Sequence, residues 1–403
     1  MSTMLTESAT AHLDRFLEAL QPWRMAPELA SATGSRHGTC HVLDAKYEPG
    51  VRAVILYALG DRLVRGDLLP LPDGIRISPF PHDPDLPSLP HLLDPAAVGP
   101  LLGRTGRTRV DLLRYRPGKR ATVRVTAGGS SVVAKAYHDP AKAAAVAVES
   151  VALADAVTGA TTVRFAPTVA HLDELGWVVQ APVSGVPLDA YVGNTRLAPE
   201  ESTAAVQLAA RALAEVHASS PVLHRERSVD KELRRFGVRA GGIASVDPRL
   251  GDQAERLAAR LIDAQQHLPA AVIGPVHGDC KSSQFLLAGP VVHLLDLDHC
   301  GLSDQAADVG TFMATLRQYA IRHTLAGRPH TLTRRLPALA EDFLTAYLDA
   351  RGDASGRSRI RWHEAVALER KALRSFARAP RSPVAAALIH EADRRLDRLT
   401  ESA

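Results

Sequence analysis

Residues 276–301 read VHGDCKSSQFLLAGPVVHLLDLDHCG. Two short apolar runs, 285–288 and 291–295, flank Gly289-Pro290. That is the pattern of a β-hairpin with its turn at the dipeptide. Such a hairpin sets the polar cluster at its entry, His277, Gly278 and Asp279, beside the carboxylates at its exit, Asp296 and Asp298. Gln284 adds an amide oxygen between them. A carboxylate near a reacting hydroxyl, an amide oxygen and a second carboxylate can divide the work of phosphoryl transfer. One orients the nucleophile and the others hold Mg²⁺ on a nucleotide.

Within this stretch Asp279 is the candidate for accepting or orienting a substrate hydroxyl. His277 is better suited to fixing the loop than to acting as a base. Lys281 is placed to neutralise charge on a transferring phosphoryl group. Gln284 and Asp296 offer the hard oxygens that Mg²⁺ prefers, and Asp298 either holds a second ion or organises the loop. Asp308 either caps the following helix or holds the catalytic loop. A rival grouping of His277, Asp279, Asp296, Asp298 and His299 as a metal-hydrolase cluster leaves the remaining polar signals unused.

Those signals lie upstream. Lys135 stands in the strand-like VVAKAY, where a lysine either snorkels at a sheet edge or points into a cleft toward phosphates. Glu149, fourteen residues on, is the one glutamate of an Ala/Val-rich helix, and a charge there needs a partner. The two are expected to pair. Pro117-Gly118-Lys119-Arg120 forms a turn between two strands. Its backbone N–H groups, with Lys119 or Arg120, are placed to meet phosphate oxygens, unless it is only a hairpin turn.

The chain has 403 residues, 46% hydrophobic and 23% charged, enough for two or three domains. A net charge of +4 mixed along the chain, with 4% aromatics, argues against a nucleic-acid surface. Cys40, Cys280 and Cys300 lack metal-ligand spacing and read as free thiols in a reducing, cytoplasmic setting. Neither a secretion leader nor a membrane span is expected.

Residues 1–69 read as an N-terminal α+β module, with an amphipathic helix at 9–20 and a strand pair around Pro49-Gly50. The proline-rich stretch 70–104 reads as an extended linker. Three strands and a helix opened by Asp139-Pro140 begin a small lobe over 105–180, and 181–403 is largely helical. The fold class is α+β and two-lobed, with an extra strand-containing N-terminal module. AKYEPGVRAVILY (45–57) echoes LRYRPGKRATVRV (113–125), either as a repeated hairpin or by chance.

Taken together, LLRYRPGKRATVRV, VVAKAY with Glu149, WVVQAPVSGVPL, ALAEVH and HGD…Q…LLDLDHCGLSDQAADVGTF resemble the aminoglycoside phosphotransferase family, also called the phosphotransferase enzyme family, of protein-kinase-like fold. The resemblance covers about 105–385. It implies ATP (or GTP) and Mg²⁺, with Lys135 on the α/β-phosphates and Glu149 paired to it. It further implies Asp279 as catalytic base, Gln284 and Asp296 on Mg²⁺, and the Gln180–Val183 backbone against adenine. Gln284 stands where most members carry Asn, as in the maltokinase-like branch, whose extra N-terminal domain the strand-rich module resembles. The basic C-terminal region, including Arg370, Lys371, Arg374 and Arg378, tilts the acceptor toward a neutral or anionic small-molecule hydroxyl compound. Two alternatives stay open, a catalytically idle kinase-like module and a peptide Ser/Thr kinase.

Overall fold

The computed structural model describes residues 7–35, 38–353 and 355–400. Helix α1 (Ala9–Ala19) is capped by the Ser8 hydroxyl and buries Leu13 and Phe16. It is followed by α2 (Pro22–Thr33), which starts with proline at its first position. An antiparallel sheet then runs in sequence order through β1 (Cys40–Glu48), β2 (Arg52–Leu59), β3 (Arg62–Leu68) and β4 (Ile75–Pro79).

The expected linker at 70–104 is not a linker. Its first part supplies β4, paired to β3 from Val64↔Pro79 to Leu68↔Ile75. Its second part forms two short helices, α3 (Leu89–Leu93) and α4 (Pro95–Leu101). Leu86, Leu89, Leu92 and Val98 are fully buried in the core of the next sheet. The prolines that suggested irregular chain occupy sites where a missing N–H costs little. Pro79 ends an edge strand, and Pro95 opens α4 behind the Asp94 cap.

The small lobe is a five-stranded antiparallel sheet ordered β5-β6-β7-β10-β9. Its strands are β5 (Thr108–Arg116), β6 (Arg120–Ala127), β7 (Ser130–Tyr137), β9 (Thr168–Leu172) and β10 (Trp177–Gln180). Helix α5 (Pro140–Ala156) follows β7, its first turn capped by the Asp139 carboxylate on the Ala141 N–H at 3.0 Å. The sequence echo is structural: Tyr47↔Ala53 and Glu48↔Arg52 match Tyr115↔Ala121 and Arg116↔Arg120 across equivalent Pro-Gly turns.

The boundary expected at 180 is crossed early. β8 (Val163–Phe165) leaves the small lobe to pair in parallel with β14 (Val291–Leu294), in a sheet ordered β11-β13-β14-β8. That sheet contains the hairpin read from the sequence, β13 (Phe285–Ala288) and β14, turning at Gly289, with β11 (Val186–Pro187) on its other edge. A two-stranded ribbon of β12 (Ile273–Val276) and β15 (Gly301–Asp304) frames the catalytic segment. Helices α6 (Asp189–Val192), α7 (Pro199–Ala218), α8 (Val229–Ala244), α9 (Pro248–Gln265), α10 (Ala306–Leu325), α11 (His330–Arg351), α12 (Arg357–Arg378) and α13 (Val384–Thr400) complete the large lobe.

The N-terminal module does not hang from the small lobe as a separate unit. Its buried Phe16, Leu29, Tyr47 and Ile55 belong to one hydrophobic core with Phe236, Leu257, Trp362 and Phe376 of the large-lobe helices. No helix among the described residues is long and apolar enough to cross a membrane.

Candidate active site

The segment between β12 and β13 is held by its backbone. Asp308, in the first turn of α10, accepts the His277 N–H at 2.6 Å on one oxygen and the Gly278 N–H at 2.8 Å on the other. His217 reaches the same carboxylate at 3.2 Å and is itself held by the Tyr347 hydroxyl at 2.8 Å. Both nitrogens of His277 are spent on main chain: Nδ1 accepts from the Asp279 N–H and Nε2 donates to Leu295 O. The ring therefore ties the hairpin entry to its exit and has no nitrogen left for a metal. Gly278 has φ +77°, and a Cβ there would sit 2.0 Å from His299 O. Only glycine lets the two backbones approach this closely.

This bracing presents Asp279. Burial raises its carboxyl, but Lys281, whose ammonium lies 2.5 Å away, overrides burial and holds it at about 2. His299 is pushed down to about 3 by burial and by Arg227.

At the hairpin exit, Asp296 is the one non-glycine residue with positive φ (+65°) among the described residues. That left-handed turn aims its carboxylate at the small lobe. Lys135 Nζ donates to Asp296 at 3.2 Å and to Asp298 at 3.5 Å, so this lysine points into the cleft. Arg120, at the start of β6, donates to Asp296 at 2.7 Å and also pairs with Asp298. The Tyr137 hydroxyl donates to Asp298 at 2.7 Å. Gln284 Nε2 approaches Asp296 at 3.4 Å. Burial raises the Asp296 carboxyl, yet Lys135 and Arg120 together hold it far below the usual carboxylate range.

Several expected partners are not brought together. Lys135 and Glu149 do not pair. Glu149 instead accepts the Arg225 N–H at 2.8 Å and the Arg225 guanidinium, with Cys300 Sγ at 3.6 Å. Arg225 reaches it from the segment between α7 and α8, so the buried carboxylate is satisfied before the lysine can compete. The Gly118 N–H is also engaged, donating to Asp83 at 2.7 Å. Asp83 further accepts from Tyr115 and pairs with Arg65, so the turn is bound to the N-terminal module. Partial burial of the Lys119 ammonium, and Lys46, Arg116 and Arg374 near it, favour its neutral form. Gln180 ends β10 with its carboxamide toward Ala166 O at 3.5 Å. Val183 lies just beyond, in the strand-free crossing to β11.

The phosphotransferase enzyme family profile matches residues 112–363. The chain belongs to this family. It is a phosphotransferase with an alcohol group as acceptor. The fold is shared with a choline/ethanolamine kinase family protein from Mesorhizobium loti, at TM-score 0.51 and 16% identity over 76% of this chain and 92% of that one. It is shared with a putative aminoglycoside phosphotransferase from Ralstonia eutropha, at TM-score 0.50 and 18% identity over 76% and 97%. A thermostable mutant of aminoglycoside phosphotransferase APH(4)-Ia gives TM-score 0.52 at 12% identity over 75% and 98%. No curated protein matches the chain.

For a family member, this cleft has three features that the motif reading did not assign. Arg120, a candidate for phosphate contact, bridges both exit carboxylates. Tyr137 and Arg225 had no role assigned at all. Their signal in the sequence was slight: Arg225 lies in a loop, and Tyr137 two residues after Lys135 shares its face of β7. The donor set of Asp296, Asp298 and Gln284 suits Mg²⁺, which is commonly held through one or two carboxylates and the phosphates of a nucleotide. No group of three or more His, Cys, Asp or Glu side chains gathers as a metal cage among the described residues. All three cysteines are buried and free.

Proposed function

We propose that this protein transfers the γ-phosphoryl group of ATP to a hydroxyl of a small molecule in a Mg²⁺-dependent reaction. The observation that carries this reading is the convergence of Gln284, Asp296 and Asp298 from the two ends of one hairpin with Lys135 from the opposite lobe, Asp279 standing in the loop that enters the hairpin. When bound, Mg²⁺ would supply charge neutralisation on the phosphates, held by Asp296 and Gln284 with Asp298 beside them. Lys135 and Arg120, freed from the carboxylates, would turn to the phosphate oxygens. The backbone between Gln180 and Val183, beyond the end of β10, is where a purine edge would be read.

Asp279 would accept a hydrogen bond from the acceptor hydroxyl. The acceptor oxygen forms its bond to the γ-phosphorus as the bond to the β–γ bridging oxygen breaks. The proton passes to Asp279 and then to solvent, and ADP leaves. A carboxylate held at about 2 is a weak base. It suits a loose transition state, in which positioning the hydroxyl matters more than removing its proton early. Lys281, beside Asp279, is placed to meet the transferring group.

The test is Asp279→Ala. Phosphoryl transfer to a verified acceptor should fall by about a thousandfold or more, on the scale of losing a positioned catalytic group. Calorimetric Mg·ATP affinity should stay within a few-fold of wild type. Near-normal turnover by the variant would remove Asp279 from the mechanism. Mg·ATP binding with no acceptor in any metabolite pool would favour the idle-module alternative.

A further inference from the structure

An open cavity of about 830 Å³ lies where the N-terminal module meets both lobes. Its size is that of a small-molecule site. Strands β1, β2 and β3 of the module line one part of it, and β5 of the small lobe lines another. Arg322 and Arg378 reach it from the last turns of α10 and α12. None of the residues lining it belongs to the cluster around Asp279 and Asp296. Along α10, Arg322 stands fourteen residues beyond Asp308, the brace of the catalytic loop. At 1.5 Å per residue the two lie about 21 Å apart on the helix axis.

The apolar part of the lining is unusual for a surface. β1 and β5 are edge strands, each paired on one side only. Each carries a bulge, between Val42 and Asp44 in β1 and between Leu112 and Arg114 in β5. The extra residues are Leu43 and Leu113, which are 54% and 47% exposed. Leu56 and Leu63 face the same space. A bulge interrupts the hydrogen-bond ladder and bends the strand, so neither edge presents a regular template for a further strand. The leucines therefore suit a flexible aliphatic body better than an extended peptide.

The polar part is cationic. Three guanidiniums, of Arg114, Arg322 and Arg378, share the lining with one carboxylate, Asp44. Asp44 lies 3.6 Å from Arg378. The guanidiniums of Arg114 and Arg322 make no ion pair or hydrogen bond among the described residues, and both residues are exposed. The negative ends of α10 and α12, about half a charge each, offset only part of this excess. A positive potential thus borders an apolar surface.

We infer that this cavity is a second ligand site, separate from the catalytic cleft, which takes an amphiphile with a medium-length aliphatic body and one anionic head. The leucines of β1, β2, β3 and β5 cover the chain. Arg114 and Arg322 hold the head, a carboxylate or sulfate, through forked donors. A ligand seated there touches the module, the small lobe and the large lobe together, so it stabilises their assembled arrangement by mass action.

The experiment uses the full chain without nucleotide, so its result does not depend on phosphoryl transfer. Decanoate, 1-decanol and decyltrimethylammonium are each titrated calorimetrically below the concentrations at which they form micelles or separate. The proteins are wild type, Leu113→Ser and the double variant Arg114→Ala/Arg322→Ala, whose exposed side chains lack ion pairs. Wild type should bind one decanoate per chain, saturably and at least about 10-fold more tightly than decanol, the scale of a charge-assisted hydrogen bond. Decyltrimethylammonium should bind more weakly still. The double variant should lose the preference for decanoate over decanol, and Leu113→Ser should weaken both. Decanoate should raise the melting temperature of wild type and not that of the double variant.

Equal affinity for the anion and the cation overturns the site, as does unsaturable uptake of many molecules per chain. No binding of decanoate, or unchanged preference in the double variant, overturns it too. Should either variant fail to fold by circular dichroism, the wild-type series of three ligands decides alone.

Discussion

Glu369 on α12 is fully buried, and neither carboxylate oxygen has a hydrogen-bond partner. Burial, with Asp393 and Glu232 nearby, raises its carboxyl to about 9. It is therefore protonated in the folded protein at neutral pH, whereas the unfolded chain ionises it near 4.5. Between these values the folded state binds the extra proton, so this group's contribution to stability falls as pH rises. Replacing it by an apolar residue of similar length removes the effect. In urea unfolding, Glu369→Met should gain on wild type as pH goes from 5 to 8, by up to about 1.4 kcal/mol per pH unit. A stability difference independent of pH would show that Glu369 ionises normally in the folded state. Nothing in the local sequence ALERKAL marks this glutamate as different from its neighbours. Its burial comes from the packing of α12 against α9 and α13.

Among the elements, the β5–β6 turn is the one whose reading changed most. The Pro117-Gly118 turn and its register were legible, because a glycine with positive φ after proline is a local preference of the chain. Its occupant was not. Asp83 takes the Gly118 N–H, the Tyr115 hydroxyl and the Arg65 guanidinium, and Arg65 also binds Asp67 and Asp85. The turn is thus clamped by a residue from the stretch that looked like linker. Asp83→Ala should destabilise the protein by about 1–3 kcal/mol, since it leaves the Gly118 N–H and the Tyr115 hydroxyl without their acceptor while Arg65 keeps Asp67 and Asp85. It should also speed hydrogen exchange at the Gly118 amide relative to amides in the middle of β6. Unchanged protection at Gly118 would mean that the turn is held by other contacts. The same lesson applies to α5. Its Asp139-Pro140 start was readable, whereas the partner of Glu149 was set by a loop 76 residues away in sequence.

Over the whole molecule, the N-terminal module and the large lobe share a core, from Phe16 and Tyr47 to Trp362 and Phe376. Removing residues 1–104 would strip α8, α12 and α13 of apolar cover and expose a large hydrophobic face. The fragment 105–403 should therefore aggregate or lack cooperative unfolding by circular dichroism. A monomeric fragment that melts cooperatively with native helicity would show instead that the module is an appendage. The module also touches the C-terminal end of α12, where Asp44 lies 3.6 Å from Arg378. Its sequence disclosed strands. It did not disclose that β1 packs against α12, which begins more than 300 residues later.

By itself the sequence disclosed the family, the two-lobed α+β class and the β13–β14 hairpin that sets Gln284 at its entry near Asp296 at its exit. These follow from local rules: hairpin geometry, helix capping, and the restriction of certain backbone turns to glycine. The tertiary structure alone decided which charges pair. Lys135 and Arg120 go to the exit carboxylates, Glu149 goes to Arg225, and Gly118 is held by Asp83. Charge pairing is a competition among side chains from distant segments in a shared, poorly solvated space. Its outcome depends on distances that no stretch of sequence contains.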